Sequence, residues 1–320
     1  MLESLVPSVR EISADDLGIG VMAKATSHGG SSAPDAPEAN SDNPVIREVV
    51  RLSSLFGGVI FTGPPGTSKS YYAAESARVL ADGVDDRVRF VQFHASYQYE
   101  DFMIGFVPTT NGFKERPGPF LELVRAADTD REHTYVLVID ELSRADVGRV
   151  FGEALTYVER TKRELTFALA NGLSIRVPSN LVILATMNPF DRGVDEVDAA
   201  FERRFAKITM DPDKDLLAEM LTASGMEATL RQKLIGWFSR INSHAQKNPA
   251  AAVGHAYFSS ASDENSLDDV WSYQLRYLVQ RAFRRDESTR NDLEAAWRNM
   301  FVRADVVLDT DIAVETGPGA

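Results

Sequence analysis

Gly63-Pro64-Pro65-Gly66-Thr67-Ser68-Lys69-Ser70 is the stretch whose reading decides the fold. It follows the apolar run Val59-Ile60-Phe61 and leads into Tyr71–Leu80, which has helical character. A buried strand that breaks at glycine, turns, and opens a helix on Lys-Ser is a pattern built for phosphate. The backbone N–H groups of such a turn, and the positive end of the helix dipole behind it, face the anion. Lys69 is placed to neutralise β- and γ-phosphates, and the Ser70 hydroxyl to coordinate Mg²⁺. Gly63, Pro64, Pro65, Gly66, Thr67, Ser68, Lys69, Ser70 and the adjoining Tyr71 are therefore the candidate nucleotide contacts. Ser68 stands where G-x-x-x-x-G-K-[ST] has its second glycine, and serine fits there if its φ is negative.

Further along, Thr134-Tyr-Val-Leu-Val-Ile-Asp140-Glu141 is an apolar run without alternation, which suits a strand covered on both faces of a parallel sheet. Its two acids fall at the carboxyl end, where ligands bind in open α/β sheets. Asp140 is suited to hold Mg²⁺ through water, and Glu141 to polarise an attacking water. Leu181–Met187 is a second such run and ends in Asn188-Pro189-Phe190-Asp191-Arg192. The Asn188 amide either steadies that water or serves the strand-to-loop turn that Asn favours. Arg203 and Arg204 close the helical segment 197–205; they either complement its dipole or reach a neighbour's γ-phosphate as a charge-neutralising finger.

The remaining segments fill in an α/β layout. Val45–Leu55 reads as an amphipathic helix, and Gly58–Thr62, Arg87–Phe93 and Ile208–Met210 as further strands. Ser96 is a candidate cap for a short helix that turns Tyr99, Phe102 and Met103 inward. Phe106–Phe120, with Asn111-Gly112 at its tip, reads as a hairpin handing over to a helix at Pro119–Ala127. Leu165–Ala170 and Leu173–Val177 around Asn171-Gly172 form a second hairpin. Between them Asp146–Glu159 reads as one helix with a stripe of Val147, Val150, Phe151, Ala154, Leu155 and Val158. From Pro212 on the candidates are helical only: 215–221, 228–245, 267–284 and 287–302, interrupted by Gly254-His-Ala-Tyr-Phe258, where His255 reads as a packed loop histidine. The fold expected is α/β: a five-stranded parallel sheet flanked by helices, with two β-hairpin inserts, followed by a small all-α lid. The divisions expected are a polar linker over 1–43, a nucleotide-binding domain over 44–211, a lid over 212–303 and a loose tail over 304–320.

Composition narrows the class. The 320-residue chain carries a formal net charge of −13, which does not favour broad electrostatic binding to DNA. It has no cysteine, so disulfides, thiolate zinc sites and a cysteine nucleophile are excluded. Its five histidines show no metal-ligand spacing. No apolar run approaches membrane-spanning length and Met1–Arg10 has no signal-peptide core, so the expected location is cytoplasmic.

Taken together, Gly63–Ser70 (Walker A), Val136–Glu141 (Walker B), Asn188 (sensor 1) and Arg203-Arg204 resemble the ordered motifs of AAA+ NTPases. Phe93-His-Ala-Ser-Tyr-Gln-Tyr-Glu-Asp-Phe102, Asp140-Glu-Leu-Ser-Arg-Ala145, Val150-Phe-Gly-Glu153, Met187-Asn-Pro-Phe-Asp-Arg192 and Gly254–Phe258 are similar to the McrB-like clade, with MoxR-type ATPases as cousins. The resemblance covers about Asn43 to Arg303. It implies ATP or GTP with Mg²⁺, a homo-oligomeric ring, usually a hexamer, and nucleotide between subunits. Glu141 is then the catalytic base, Asn188 the sensor, and Arg203 or Arg204 the finger supplied across the interface. It also implies a McrC-like partner that joins a nuclease, with DNA contacted indirectly or through the pore. Two alternatives remain open: a MoxR-like chaperone acting on proteins, and a nucleotide-gated scaffold that does not hydrolyse. A lid arginine that senses nucleotide is expected at Arg276.

Overall fold

The computed structural model describes residues 42–110, 112–190 and 199–301. The expected linker, tail, Asn111 and the 191–198 segment fall outside them, apart from Asp42 and Asn43 at the linker's end.

Asn43 caps the first helix, α1 (Pro44–Leu55), its side chain accepting from Val45 N–H at 2.9 Å, with Pro44 at the position where a missing N–H costs nothing. The chain then runs β1 (Gly58–Thr62), α2 (Lys69–Leu80) and β2 (Val88–Gln92). A short α3 (Tyr99–Phe102) precedes the hairpin of β3 (Ile104–Thr109) and β4 (Gly112–Pro117), then α4 (Pro119–Thr129) and β5 (Tyr135–Asp140). After α5 (Val147–Phe151) and α6 (Ala154–Tyr157) comes the second hairpin, β6 (Thr166–Ala168) with β7 (Ser174–Arg176). β8 (Leu181–Met187), α7 (Ala199–Glu202) and β9 (Ala206–Thr209) complete the α/β part.

The sheet is five-stranded in the order β2-β5-β8-β1-β9, and every neighbouring pair is parallel. The expected fold class is therefore the observed one, including both antiparallel hairpins. Side-chain alternation divides the apolar strands between two cores. Ile60, Leu137, Ile139 and Ile183 face a cluster that includes Phe102, Phe120, Phe151 and Phe201. Val59, Phe61, Val138 and Leu184 face α1 and α2 through Ile46, Val49, Ala73 and Ala77. Phe102 is the hub of the first cluster, with ring centroids 5.1 Å from Phe120 and 4.8 Å from Phe151. Each such buried ring is worth about 1.5–3 kcal/mol of transfer free energy.

Three local expectations need correcting. Ser96 does not cap α3; Gln98 does, in a reciprocal capping box with Asp101, which sets the helix start two residues later. The single helix expected over Asp146–Glu159 is broken at Gly152, whose φ of 50° puts it outside the helical region. A Cβ at Gly152 would lie 2.7 Å from the Tyr99 ring, so glycine is what lets α3 pack there. The apolar stripe survives across the break, because both short helices face the same core. The third correction concerns the helical part.

Among the described residues from α8 (Lys214–Ala223) onward the elements are all helical, with α9 (Ala228–Ser243), α10 (Glu264–Val270), α11 (Arg276–Ala282) and α12 (Glu287–Asn299). They enclose a third core built on Leu217, Leu234, Trp237, Phe238, Phe258 and Trp297. The helix expected over 267–284 is interrupted by a π-helical turn at Trp271–Leu275. Such a turn widens the helix by one residue and rotates everything after it.

Candidate functional site

The carboxyl ends of β5, β8 and β1, three neighbouring strands, open on one cleft of about 490 Å³. Its lining includes Pro65–Tyr71, Glu141, Thr186, Asn188 and, from the helical part, Tyr257 and Arg281. Sequence order alone accounts for the first group: each apolar strand is followed at once by its polar residues, and the parallel register brings those ends level.

The loop after β1 is held by its own side chains. Thr67 Oγ1 and Lys69 Nζ both donate to the Pro64 carbonyl, at 2.9 and 2.7 Å. Gly63 N–H donates to the Met187 carbonyl at 3.3 Å, fastening the loop's start to the end of β8. Ser70 and Asp140, from different elements, meet directly: Ser70 Oγ donates to Asp140 Oδ1 at 2.9 Å. Thr186 Oγ1 donates to the same oxygen at 2.5 Å and accepts the Glu141 N–H at 3.2 Å. A hydroxyl and a carboxylate at the mouth of a helix N-terminus suit a hard divalent cation bridging to phosphate oxygens. Among the described residues no three His, Asp or Glu side chains gather into a metal cage.

Ser68 departs from expectation. Its φ is 61° and its ψ 22°, the left-handed conformation, so the loop keeps the backbone of a glycine although the residue is serine. The hydroxyl lies 2.9 Å from His255 Nε2 and makes no cap on α2. His255 is thus in the loop's immediate surroundings. Glu141 is also left-handed, at φ 57°, and its carboxylate accepts from Arg144 Nε at 3.1 Å. Strained non-glycine backbone at both flanks of one cleft is a mark of functional sites.

Asn188 is buried, and its Oδ1 accepts the Phe190 N–H at 3.1 Å, so it makes the strand-to-loop turn while also lining the cleft. Arg203 and Arg204 do not reach the cleft within this chain. The Arg204 carbonyl accepts the Gly57 N–H at 3.2 Å, which places the pair at the amino end of β1, opposite the phosphate loop. Arg204 is buried against Glu159, 3.7 Å away, whereas the Arg203 side chain is 63% exposed.

Two further cations line the cleft: Arg144, inside the Asp140–Ala145 motif, and Arg281, outside any motif quoted above. Arg144 sits one turn beyond Glu141. Arg281, not the expected Arg276, is the α11 arginine that lines the cleft. Arg276 instead lies over the Tyr277 ring.

A strand, a glycine-rich turn and a helix that opens on Lys-Ser, next to a carboxylate-ended strand, define a P-loop nucleotide-binding protein. Residues 58–205 match the AAA domain (dynein-related subfamily). The chain is 31% identical over 245 residues to the type IV methyl-directed restriction enzyme EcoKMcrB subunit of Escherichia coli (strain K12), covering 72% of this chain and 53% of that one. It is 28% identical over 197 residues to the type II restriction enzyme BsuMI component YdiS of Bacillus subtilis (strain 168), covering 48% of this chain and 57% of that one. A solved structure from Cytophaga hutchinsonii overlays 81% of this chain and 94% of its own at 16% identity and a TM-score of 0.37, a likeness too loose to build on. The chain belongs to the AAA+ NTPases, among their McrB-like members. It spans about half the length of the curated relatives it matches. No helix among the described residues is long and apolar enough to cross a membrane.

Proposed function

We propose that this chain hydrolyses ATP, in preference to GTP, as the motor subunit of a restriction complex. What carries the reading is the meeting of Ser70, Thr186 and Asp140 Oδ1 beside Glu141, at the foot of the loop that holds Lys69. The N-terminus of α2 and Lys69 bind and orient the β- and γ-phosphates. A bound Mg²⁺, held by Ser70 and Asp140, supplies charge neutralisation on those phosphates. Glu141, set one residue past the strand, takes the proton of a water aligned for in-line attack, and Asn188 steadies that water. Arg203, exposed and remote from its own cleft, is the better of the two adjacent arginines for a finger that completes a neighbour's site. That assignment requires a ring, taken as a hexamer, with residues 212–303 as a lid that shifts with nucleotide state. Arg204 is buried and belongs to the fold. The two curated relatives are both named as parts of restriction enzymes. They support a McrC-like nuclease partner, DNA engaged through that assembly, and a place in cytoplasmic defence against foreign DNA.

Binding of a fluorescent ATP analogue and phosphate release, measured on the same protein, test the reading. Lys69→Ala is expected to abolish binding. Glu141→Gln should bind as wild type while turnover falls by about 10²–10⁴-fold, the usual yield of a general base. Arg203→Ala should likewise spare binding and stop turnover. Equal turnover by wild type and Glu141→Gln would sink the hydrolytic reading and leave a nucleotide-gated scaffold.

A further inference from the structure

We infer that His255 is a positioning residue for the phosphate loop: it draws the Ser68 hydroxyl aside so that the amides opening α2 stay available to phosphate. The inference rests on the reading of this loop as the triphosphate site. It starts from a conflict in the sequence. A serine at a helix N-cap ordinarily turns its oxygen onto the amides of the first turn. Those amides are the ones a phosphate needs. A serine in place of the loop's glycine would therefore compete with the ligand unless something held its hydroxyl elsewhere.

The structure shows what holds it. Ser68 is the N-cap residue of α2, lies in the left-handed region, and makes no side-chain cap; its Oγ is 2.9 Å from His255 Nε2. His255 is 1% exposed. Its Nδ1 accepts the Asp213 N–H at 3.4 Å, which leaves the proton of the neutral ring on Nε2, where it donates to Ser68. The contact spans 187 positions of sequence, and two more reinforce it. The Ala256 N–H donates to the Gly66 carbonyl at 2.9 Å. A Cβ on Gly254 would fall 2.0 Å from that same carbonyl oxygen, so the two backbones pass in direct contact. The segment Gly254–Tyr257 thus clasps the phosphate loop from the helical side, and His255 is the member of the clasp that speaks to the residue departing from the motif. Phosphate binding and docking of this segment are then one linked equilibrium.

A double-mutant cycle on the full chain tests this, read by titration with a fluorescent ATP analogue and by thermal melting of each variant. In the Ser68 background, His255→Ala is expected to raise Kd about tenfold, the scale of a buried hydrogen bond and a displaced ligand contact. In the Ser68→Gly background the same change should raise Kd by less than about twofold, because no hydroxyl remains to misplace. His255→Gln, whose amide N–H donates from a similar place, should recover part of the loss and serves where the alanine variant melts. Equal losses in both backgrounds overturn the inference, since His255 would then act by packing alone. Wild type and Lys69→Ala binding the analogue alike would overturn it too, together with the triphosphate reading beneath it.

Discussion

The two ends of the central sheet handle polar groups in opposite ways. At the carboxyl end, Ser70 from α2 and Thr186 and Asn188 from the end of β8 face a cleft, and Asp140 of β5 joins Ser70 and Thr186. At the amino end, Arg163 is buried and spends its guanidinium on the chain itself, donating to the carbonyls of Gly57 at 2.7 Å, Val158 at 3.3 Å and Leu181. Burial pushes the Arg163 pKa down to about 10, still well above neutrality, so it remains a cation that backbone oxygens must solvate. One side chain there ties the starts of β1 and β8 to the end of α6. The lesson is a contrast between two kinds of polar side chain: Arg163 is spent on backbone carbonyls that hold the fold, while Ser70 and Thr186 meet a carboxylate beside a cleft open to a ligand.

The sharpest way to break that contrast is Arg163→Ala. It leaves carbonyls buried without donors and a cavity among them, an expected loss of about 3–5 kcal/mol in urea-denaturation free energy. The folded fraction should still bind nucleotide with wild-type affinity. A variant of undiminished stability but weakened binding would show that the two ends are not separable.

Next in size is Asp140→Asn at the other end. Asparagine keeps an oxygen for the Ser70 and Thr186 hydroxyls and removes only the charge. Stability is expected to hold, while affinity for the ATP analogue with Mg²⁺ drops about tenfold, the loss of one charge-assisted contact. Adding EDTA should weaken wild type to the level of the variant and leave the variant unmoved. If the variant loses as much on EDTA as wild type does, the carboxylate is not where the metal is held.

How much of this was legible in the chain depends on the distance over which each feature is decided. The three central strands were legible because Val59–Phe61, Tyr135–Ile139 and Leu181–Met187 are buried on both faces and need no partner's identity to be recognised, whereas the half-exposed edge strand expected at 208–210 lies at Ala206–Thr209. That Ser70 and Asp140 belong to one site was legible too, since each closes a motif at the carboxyl end of a buried strand. The conformation of Ser68 was not, because its partner lies 187 residues away and only the fold brings the imidazole in. The break at Gly152 was hidden for a related reason: periodicity records which face is apolar, and that face is the same on both sides of the break. Arg281 was not legible, because no motif marks it and only the fold brings it to the cleft. Gln98 displaced Ser96 as a cap because Asp101 stands at the right offset to return the bond.

The smallest expected effect belongs to the amino end and carries a pH signature. Glu164 accepts from Arg131 Nη1 and from the Ser179 N–H, each at 2.7 Å. The Arg131 guanidinium first, and then the Ser179 amide against the counter-pull of burial, hold its carboxyl down from 4.5 to about 2. An acid whose pKa is depressed by folding stabilises the native state above its unfolded pKa, and that contribution drains away as pH falls toward the folded value. The window is therefore pH 4.5 down to about 2. Because the side chain is 41% exposed, solvent screens the pair, and the net contribution is expected to stay below about 1 kcal/mol. Glu164→Gln keeps an acceptor for Ser179 but cannot titrate, so it should melt slightly below wild type at neutral pH, lose stability less steeply across this window, and converge with wild type near pH 2. Parallel slopes would mean that Arg131 and Ser179 order this corner by shape alone, and that charge contributes to stability only where Arg163 is sealed inside.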